Sequence, residues 1–390
     1  MTNARNTPHP RIAILGSTGS IGSQALEVMA EAPQPWHPVL LTAGKRVAPL
    51  LEQAHCHSPE RCVVIDPDDH AAFATAHQHG TEFQVGEQRQ LDSIAELDLD
   101  LVLNGITGAA GLRASIATLE AGIDLALANK ESLVTAGVLL KRSASASGAR
   151  IIPVDSEHSA VIQCIADSDP ATIRRIILTA SGGPFRGKTR EQLKDVTVEQ
   201  ALQHPTWKMG PRISIDSATL FNKVLEVIEA QELFGQPVGG IEVLVHPQSI
   251  VHAIVEYQDG TSIAHLGEPD MRVPIRHALH RGIRTAGQFH PLDLVQRGQL
   301  TFEAVDHATF PALEIGKVVL DHPGTTLGAV LNAADEEAVA GFLSGSVGFL
   351  QIYPLVEKAL QDHQPEALVS LEQVIETDRE TRERVRSWYR

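Results

Sequence analysis

The sequence predicts an α/β fold in three parts: a parallel sheet wrapped by helices, a mixed α+β region, and a C-terminal helical bundle. Three observations carry this reading. Short apolar runs alternate with helical patterns through the N-terminal part, the rhythm of a parallel sheet covered on both faces. Beyond Thr172 the pattern shifts to strands joined by turn signals, and beyond Ala312 helical periodicity dominates. With 390 residues, the chain exceeds one ordinary core and implies two or three domains.

In order, Arg11–Leu15 is an apolar run breaking into glycines, followed by a helical pattern from Ser23 to Glu31. Val39–Thr42, Cys62–Ile65, Leu99–Leu103, Asp124–Ala128 and Ile151–Val154 continue the strand series, with a helix over Leu112–Ala121. Such sheets bind ligands beyond the carboxyl ends of their strands, and Asp155 to Glu157 follows one of those ends. In the second region Thr172–Thr179, Ile241–Val245, Ile250–Tyr257 and Thr261–His265 read as strands of a mixed or antiparallel sheet, the last two joined by Asp259-Gly260. Between Ser181 and Pro211 lies a long stretch punctuated by glycine and proline, with one helix over Arg190–Leu202; loops of that length often serve as lids. The helical tail is broken at Pro323-Gly324, Gly345 and His363-Gln364-Pro365.

Composition narrows the function classes. Hydrophobic residues make up 43%, and no apolar run approaches a membrane span. A net charge of −16 argues against nucleic-acid and anionic-membrane partners. A phosphorylated ligand would then need a local cluster of donors. Cys56, Cys62 and Cys164 match no zinc spacing and read as reduced thiols. The polar start Met1–Pro10 is too short and arginine-poor for a transit peptide, which suggests a cytoplasmic protein.

Gly16-Ser-Thr-Gly19-Ser-Ile-Gly22 follows a strand and opens a helix, the context of a dinucleotide loop. Its glycines admit a pyrophosphate to the backbone, and the helix start presents N–H groups to it. The next strand ends Thr42-Ala43-Gly44-Lys45-Arg46, with two bases where NAD enzymes carry an acid, so NADP is favoured. The plainer alternatives are a packing turn and a solvated basic loop.

Two acid-bearing segments stand out. Asp155 and Glu157 are two apart on chain leaving a strand, so an extended backbone would point both side chains the same way. Asn222, Lys223 and Glu226 fall on one face of a helix predicted over Leu220–Gln231. Carboxylates without cysteine suit Mg²⁺ or Mn²⁺ rather than zinc, with His158 a competing ligand. Lys223–Glu226 also reads as an ordinary i,i+3 pair, and Asp155-Ser156 as a helix cap. Spacing alone does not bring the two segments together.

Gly16–Gly22, Ala128-Asn-Lys-Glu-Ser132, Val154-Asp-Ser-Glu-His158, Ala180-Ser-Gly-Gly-Pro-Phe185, His204-Pro-Thr-Trp-Lys-Met-Gly210, Asp216-Ser-Ala-Thr219, Asn222-Lys223 with Glu226, and His246-Pro-Gln-Ser249 occur in this order. Together they closely resemble the 1-deoxy-D-xylulose 5-phosphate reductoisomerase family. The resemblance implies an NADPH- and divalent-metal-dependent conversion of that sugar phosphate to 2-C-methyl-D-erythritol 4-phosphate, in non-mevalonate isoprenoid precursor synthesis. It implies Asp155, Glu157 and Glu226 as metal ligands. Ser181, Ser217, Asn222 and Lys223 correspond to a phosphate cradle, Lys130 and Ser156 to holders of substrate oxygens, and His204 and Trp207 to lid residues. Thr18, Gly19, Ser20, Ile21, Gly44, Lys45, Arg46, Asn129, Glu131 and Gly210 match NADPH contacts. It further implies a Rossmann-like NADP-binding domain over 1–154, a catalytic and dimerisation domain over 155–289 with the lid at 181–211, a linker at 290–311, a helical domain over 312–390, and a homodimer. Thr206, Lys208 and Arg46 depart from the family's usual residues, and His252 reads as structural or as a helper near the site. The competing readings are a metal-independent NADP-dependent dehydrogenase of a small carbonyl compound and a redox-inactive dinucleotide sensor.

Overall fold

The computed structural model describes residues 9–31, 36–166, 168–235 and 239–389; most of the polar start read at Met1–Pro10 lies outside them. The chain divides into two compact units. One comprises Met1–Asn129, Leu140–Asp155 and Met271–Phe289; the other comprises Lys130–Leu139, Ser156–Asp270 and His290–Arg390.

The first unit is built on seven parallel strands, β1 (Arg11–Leu15), β2 (His37–Ala43), β3 (Arg61–Val64), β4 (Glu82–Val85), β5 (Leu101–Asn104), β6 (Asp124–Leu127) and β7 (Ile151–Pro153). Their spatial order is β4-β3-β2-β1-β5-β6-β7, a Rossmann-like arrangement. Ile12, Ala13, Ile14 and Leu15 are completely buried, as a central strand covered on both faces requires. The chain steps outward from β1 to β4, then returns to the other side of β1 as β5. That reversal opens a crevice at the carboxyl ends of β1 and β5, where Rossmann-type sheets take their ligand. The edge strand β4 had no apolar run to announce it, because none of its four residues is fully buried.

The second unit holds a mixed sheet of β8 (Ile173–Ala180), β9 (Ile241–Val245), β10 (Val251–Tyr257) and β11 (Ser262–Leu266), in the order β11-β10-β8-β9. β8 runs parallel to β9 and antiparallel to β10. Gly260 turns the β10–β11 hairpin at φ +85°, a conformation glycine adopts without steric cost. The helix Phe221–Phe234 lies between two apolar clusters. Phe221, Val224, Leu225 and Ile228 share a cluster with Ala312, Ile315 and Val319 of the helix Ala312–Leu320 and with Leu327, Val330 and Leu331 of the helix Leu327–Leu343. Val227 and Ala230 pack with Ile176, Leu178 and Ala253 of the sheet. Through Ala230 the helix has almost no solvated face, so Lys223, Glu226 and Glu229 are buried with it.

Residues 290–311 contain a short helix, Leu294–Arg297, and Glu303 bridges to Val245. The tail forms the helices Ala312–Leu320, Leu327–Leu343, Ile352–Gln361 and Leu371–Ser387. Among the described residues, no helix is long and apolar enough to cross a membrane.

Two local expectations need correction. Arg190–Leu202 is not one helix but a 3₁₀ turn, Arg190–Leu193, and a short helix, Val198–Ala201. Each has its own capping box, Thr189 with Gln192 and Thr197 with Gln200, and the second box forces a new start. Asp155–Glu157 is also not extended: β7 ends at Pro153 and a helix begins at Ser156. The shared direction expected for the two carboxylates therefore has no extended backbone to rest on.

Candidate active site

In the first unit β1 hands the chain to Gly16, whose φ of +74° is accessible to glycine at little cost. The helix Ser20–Ala30 starts directly behind the loop, so its first N–H groups face the crevice. A methyl group at Gly22 would lie 2.4 Å from Ser17 Cα and 2.5 Å from the Gly16 carbonyl oxygen. The helix therefore sits as close to the loop as glycine allows. The Arg46 guanidinium donates to the Thr18 carbonyl oxygen, which ties the end of β2 to the loop. Lys45 lies 3.1 Å from Asp66 in an exposed ion pair, a contact of little energetic worth that a phosphate would outcompete. Asn129 donates to the carbonyl oxygens of Ile106 and Gly108 at 2.7 and 2.8 Å. Thr18, Gly19, Ser20, Ile21, Gly44, Lys45, Arg46 and Asn129 all belong to this unit, whereas Glu131 and Gly210 belong to the second.

The second unit brings together residues that spacing left far apart. Glu157 and Glu226 offer carboxylate oxygens within 4.8 Å of each other. The Lys223 ammonium donates to Glu157 at 2.7 Å, to the Thr179 carbonyl oxygen at 2.5 Å, and to Glu226. Lys130 reaches Glu226 at 3.1 Å and Asn222 at 2.9 Å, and Asn222 donates to Glu226 at 2.5 Å. Ser156 donates to Glu157 at 2.5 Å. Glu226 is 1% exposed and Lys223 3%. Burial works to raise the Glu157 carboxyl, but the charge and hydrogen bond of Lys223 prevail and bring it down to about 2. Burial likewise works to lower Lys223, and Glu157 and Glu226 hold its ammonium above the ordinary value. Both groups are charged at neutral pH. Lys223–Glu226 is thus no solvated surface pair. Asp155 closes the first unit and is joined by its peptide bond to Ser156.

His158 is fully buried, with Nε2 2.9 Å from the Glu226 carbonyl oxygen and Nδ1 3.4 Å from Glu229. A carbonyl oxygen only accepts, so Nε2 carries the proton and braces the backbone of Glu226. Glu229 was missed in the sequence, although its place one turn beyond Glu226 was a usable signal.

A second set gathers around Ser181. His204 Nδ1 accepts from the backbone N–H of Trp207 at 2.9 Å and of Thr206 at 3.2 Å. Nε2 therefore bears the proton and donates to Ser181 Oγ at 2.8 Å. Burial pushes the His204 imidazole down to about 4, so it is neutral at physiological pH. Ser181 Oγ also accepts from the Gly183 N–H at 3.1 Å. Two donors to one hydroxyl leave its own proton to be donated elsewhere. A methyl group at Gly183 would lie 2.8 Å from the Ser217 carbonyl oxygen, so the glycine turn seats Ser181 against the segment carrying Ser217. Thr206 Oγ1 lies 3.4 Å from Ser249 Oγ. The Trp207 ring lies 6.3 Å from that of His252, whose imidazole burial holds below its ordinary value. Lys208 is exposed.

The donor chemistry suits a divalent ion and a dinucleotide. The carboxylates offer hard oxygen ligands of the kind Mg²⁺ and Mn²⁺ prefer, and the helix start behind the Gly16–Gly22 loop is the kind of site that takes a pyrophosphate.

Comparison with known proteins places these features in one family. Residues 12–137 match the model for 1-deoxy-D-xylulose 5-phosphate reductoisomerase. Residues 151–234 and 266–384 match models for C-terminal domains of the same enzyme. A relative of that name from Symbiobacterium thermophilum is 47% identical over 380 residues, covering 96% of this chain and 97% of its own. The enzyme from Zymomonas mobilis, solved with NADPH, superposes with a TM-score of 0.89 at 39% identity, covering 98% and 99% of the two chains. A further structure of the enzyme, with NADPH, fosmidomycin and magnesium, gives a TM-score of 0.90 at 36% identity, covering 97% and 98%.

Proposed function

The chain belongs to the 1-deoxy-D-xylulose 5-phosphate reductoisomerase family, and from that premise we propose how its own residues divide the work. It is an NADPH- and divalent-metal-dependent enzyme that converts 1-deoxy-D-xylulose 5-phosphate to 2-C-methyl-D-erythritol 4-phosphate, a step of non-mevalonate isoprenoid precursor synthesis. The observation that carries the assignment of roles is the meeting of Glu157, Glu226, Lys130, Lys223 and Asn222 in one buried cluster.

When bound, the divalent ion supplies Lewis acidity toward the substrate oxygens, and NADPH supplies the hydride. Asp155, Glu157 and Glu226 would hold the ion, Mg²⁺ or Mn²⁺. Lys130 and Ser156 donate to the substrate's hydroxyl and carbonyl oxygens, each from a side chain already fixed beside a carboxylate. Ser181, Ser217, Asn222 and Lys223 bind the phosphate with hydroxyl, amide and ammonium donors, which suit a dianion within an acidic protein. His204 keeps the Ser181 proton aimed at that phosphate, and Trp207 covers the site and excludes water. Rearranging the carbon skeleton requires its ends to be held still, so the phosphate anchor contributes to the rate as well as to affinity. Thr18, Gly19, Ser20, Ile21, Gly44, Lys45, Arg46, Asn129, Glu131 and Gly210 form the NADPH site, with Lys45 and Arg46 on the 2′-phosphate.

The functional division that goes with these roles is an NADP-binding part at 1–154, a catalytic part at 155–289 with its lid at 181–211, a linker at 290–311 and a helical part at 312–390. The protein works in the cytoplasm as a homodimer. Support for the dimer comes from β11, the edge strand of its sheet, which exposes Ile263 and Leu266 where a second copy could dock.

The test follows NADPH absorbance with 1-deoxy-D-xylulose 5-phosphate, before and after chelation and on returning Mg²⁺. Oxidation that stops with chelator and resumes with metal is the expected result. Metal-independent oxidation would support a plain dehydrogenase, and binding without turnover a sensor.

A further inference from the structure

Behind the phosphate cradle lies a cluster of charges in which only Glu131 has been given a role above. Arg212, in the first turn of the helix Pro211–Thr219, donates through Nη1 to Glu131 at 2.7 Å and to Glu336 at 2.8 Å, and through Nη2 to Asn332 at 3.0 Å. Asp216 and Asp335 face the same guanidinium at 3.5 and 3.6 Å. Glu336 is held again by Arg382 at 2.7 Å and by Asn332 at 3.0 Å, and Arg382 also pairs with Asp378 at 2.7 Å. One planar fork therefore ties three segments: the start of the helix at Lys130–Glu131, the helix carrying Ser217, and the helix Leu327–Leu343.

The placement of its ligands is informative. Glu131 directly follows Lys130, and Asp216 directly precedes Ser217. Lys130 is the group at Glu226 and Asn222, and Ser217 backs the glycine turn of Ser181. Arg212 shares the helix of Ser217, so tying its guanidinium to Glu131 fixes the spacing of Lys130 from the phosphate cradle. We propose that Arg212 is a positioning residue of the reaction, setting the distance between the substrate-oxygen donor Lys130 and the phosphate site at Ser217.

A role in cohesion alone fits the cluster less well. Buried ion networks are weak stabilisers, and apolar residues of similar volume often replace them without loss. This one also carries five acids against two arginines, and Asp216 Oδ1 and both oxygens of Asp335 lack any hydrogen-bond donor. Burial pushes Asp216 up to about 6 and Asp335 upward as well, against the pull of Arg212, which suits a proton shared between them. Direction is what a guanidinium fork provides and an ammonium does not.

The inference rests on the reductoisomerase reading, and the experiment separates the two. Wild-type enzyme must first oxidise NADPH with 1-deoxy-D-xylulose 5-phosphate; if it does not, that reading fails whatever the variants do. Given wild-type turnover, Arg212→Lys keeps the charge and loses the fork, while Glu336→Gln loosens the fork from its far side without approaching the substrate. Both are expected to raise the substrate KM and the inhibition constant of inorganic phosphate in parallel, roughly ten- to a hundredfold. If either variant is folded and lowers the melting temperature while KM, kcat and phosphate inhibition stay at wild-type values, the role is cohesion only and the proposal is overturned. Should Arg212→Lys not fold, Glu336→Gln and Asn332→Ala decide it by the same readouts.

Discussion

Gly22→Ala reads directly on how the dinucleotide loop is built. The added methyl would lie 2.4, 2.5 and 2.7 Å from Ser17 Cα, the Gly16 carbonyl oxygen and Ser17 C, all backbone atoms that cannot turn aside. Ordinary carbon contacts are about 3.5–4.0 Å, so the helix start must withdraw from the loop by about an ångström. Overpacking of this kind costs about 1–3 kcal/mol. The free protein relaxes by moving the helix, and NADPH must reverse the movement to regain the helix N–H groups. The same strain then appears in binding, as a roughly 5- to 150-fold rise in the NADPH dissociation constant. Gly44→Ala is the counterpart. Nothing lies within 4 Å of its would-be methyl, so the free protein should melt as wild type does, and NADPH should weaken only if the cofactor itself approaches Gly44. The assay is NADPH fluorescence titration alongside thermal melting. Gly22→Ala binding NADPH as wild type would refute the reasoning about the loop.

Two further outcomes follow from the same geometry. Replacing Lys45 and Arg46 together by neutral residues should weaken NADPH far more than NADH, measured by parallel titrations; equal losses would remove the 2′-phosphate role. His204 binds its proton at about 4 in the folded state, against 6.5 as its ordinary value. In that window the unfolded state takes up more protons, so stability falls as pH is lowered from 6.5 toward 4 and is level above it. The melting temperature of wild type relative to His204→Gln, followed across that range, should decline toward acid; a constant difference would contradict a neutral His204.

What the sequence disclosed, and what it withheld, follows from how local each signal is. β1 and its glycine loop were legible because a strand buried on both faces is a continuous apolar run and a close helix start needs glycine. β4 was not, because Glu82–Val85 is an edge with no buried residue. The split of Arg190–Leu202 was written in its two Thr-x-x-Gln boxes, which helical periodicity overrode. Glu226 was legible as part of a motif, but its meeting with Glu157 was not, since 68 residues and the strand β8 intervene. Arg212 gave least warning, because its partners Glu131, Asn332 and Glu336 have no sequence relation to it. Burial of charge is a tertiary property: the helix Phe221–Phe234 encloses Lys223 and Glu226 only once both apolar clusters close around it.

Counting Mn²⁺ tests the carboxylates as the metal centre most directly. Free Mn²⁺ is followed by paramagnetic resonance as protein is added, for wild type and for Glu226→Gln. The substituted amide keeps the shape of the carboxylate, and the lysines keep partners, Lys223 at Glu157 and the Thr179 carbonyl oxygen and Lys130 at Asn222, so the variant should fold and still bind NADPH. Wild type is predicted to take up one Mn²⁺ per chain, and Glu226→Gln to lose that binding by about a hundredfold or more, together with turnover. Unchanged Mn²⁺ uptake and full activity in Glu226→Gln would contradict the account.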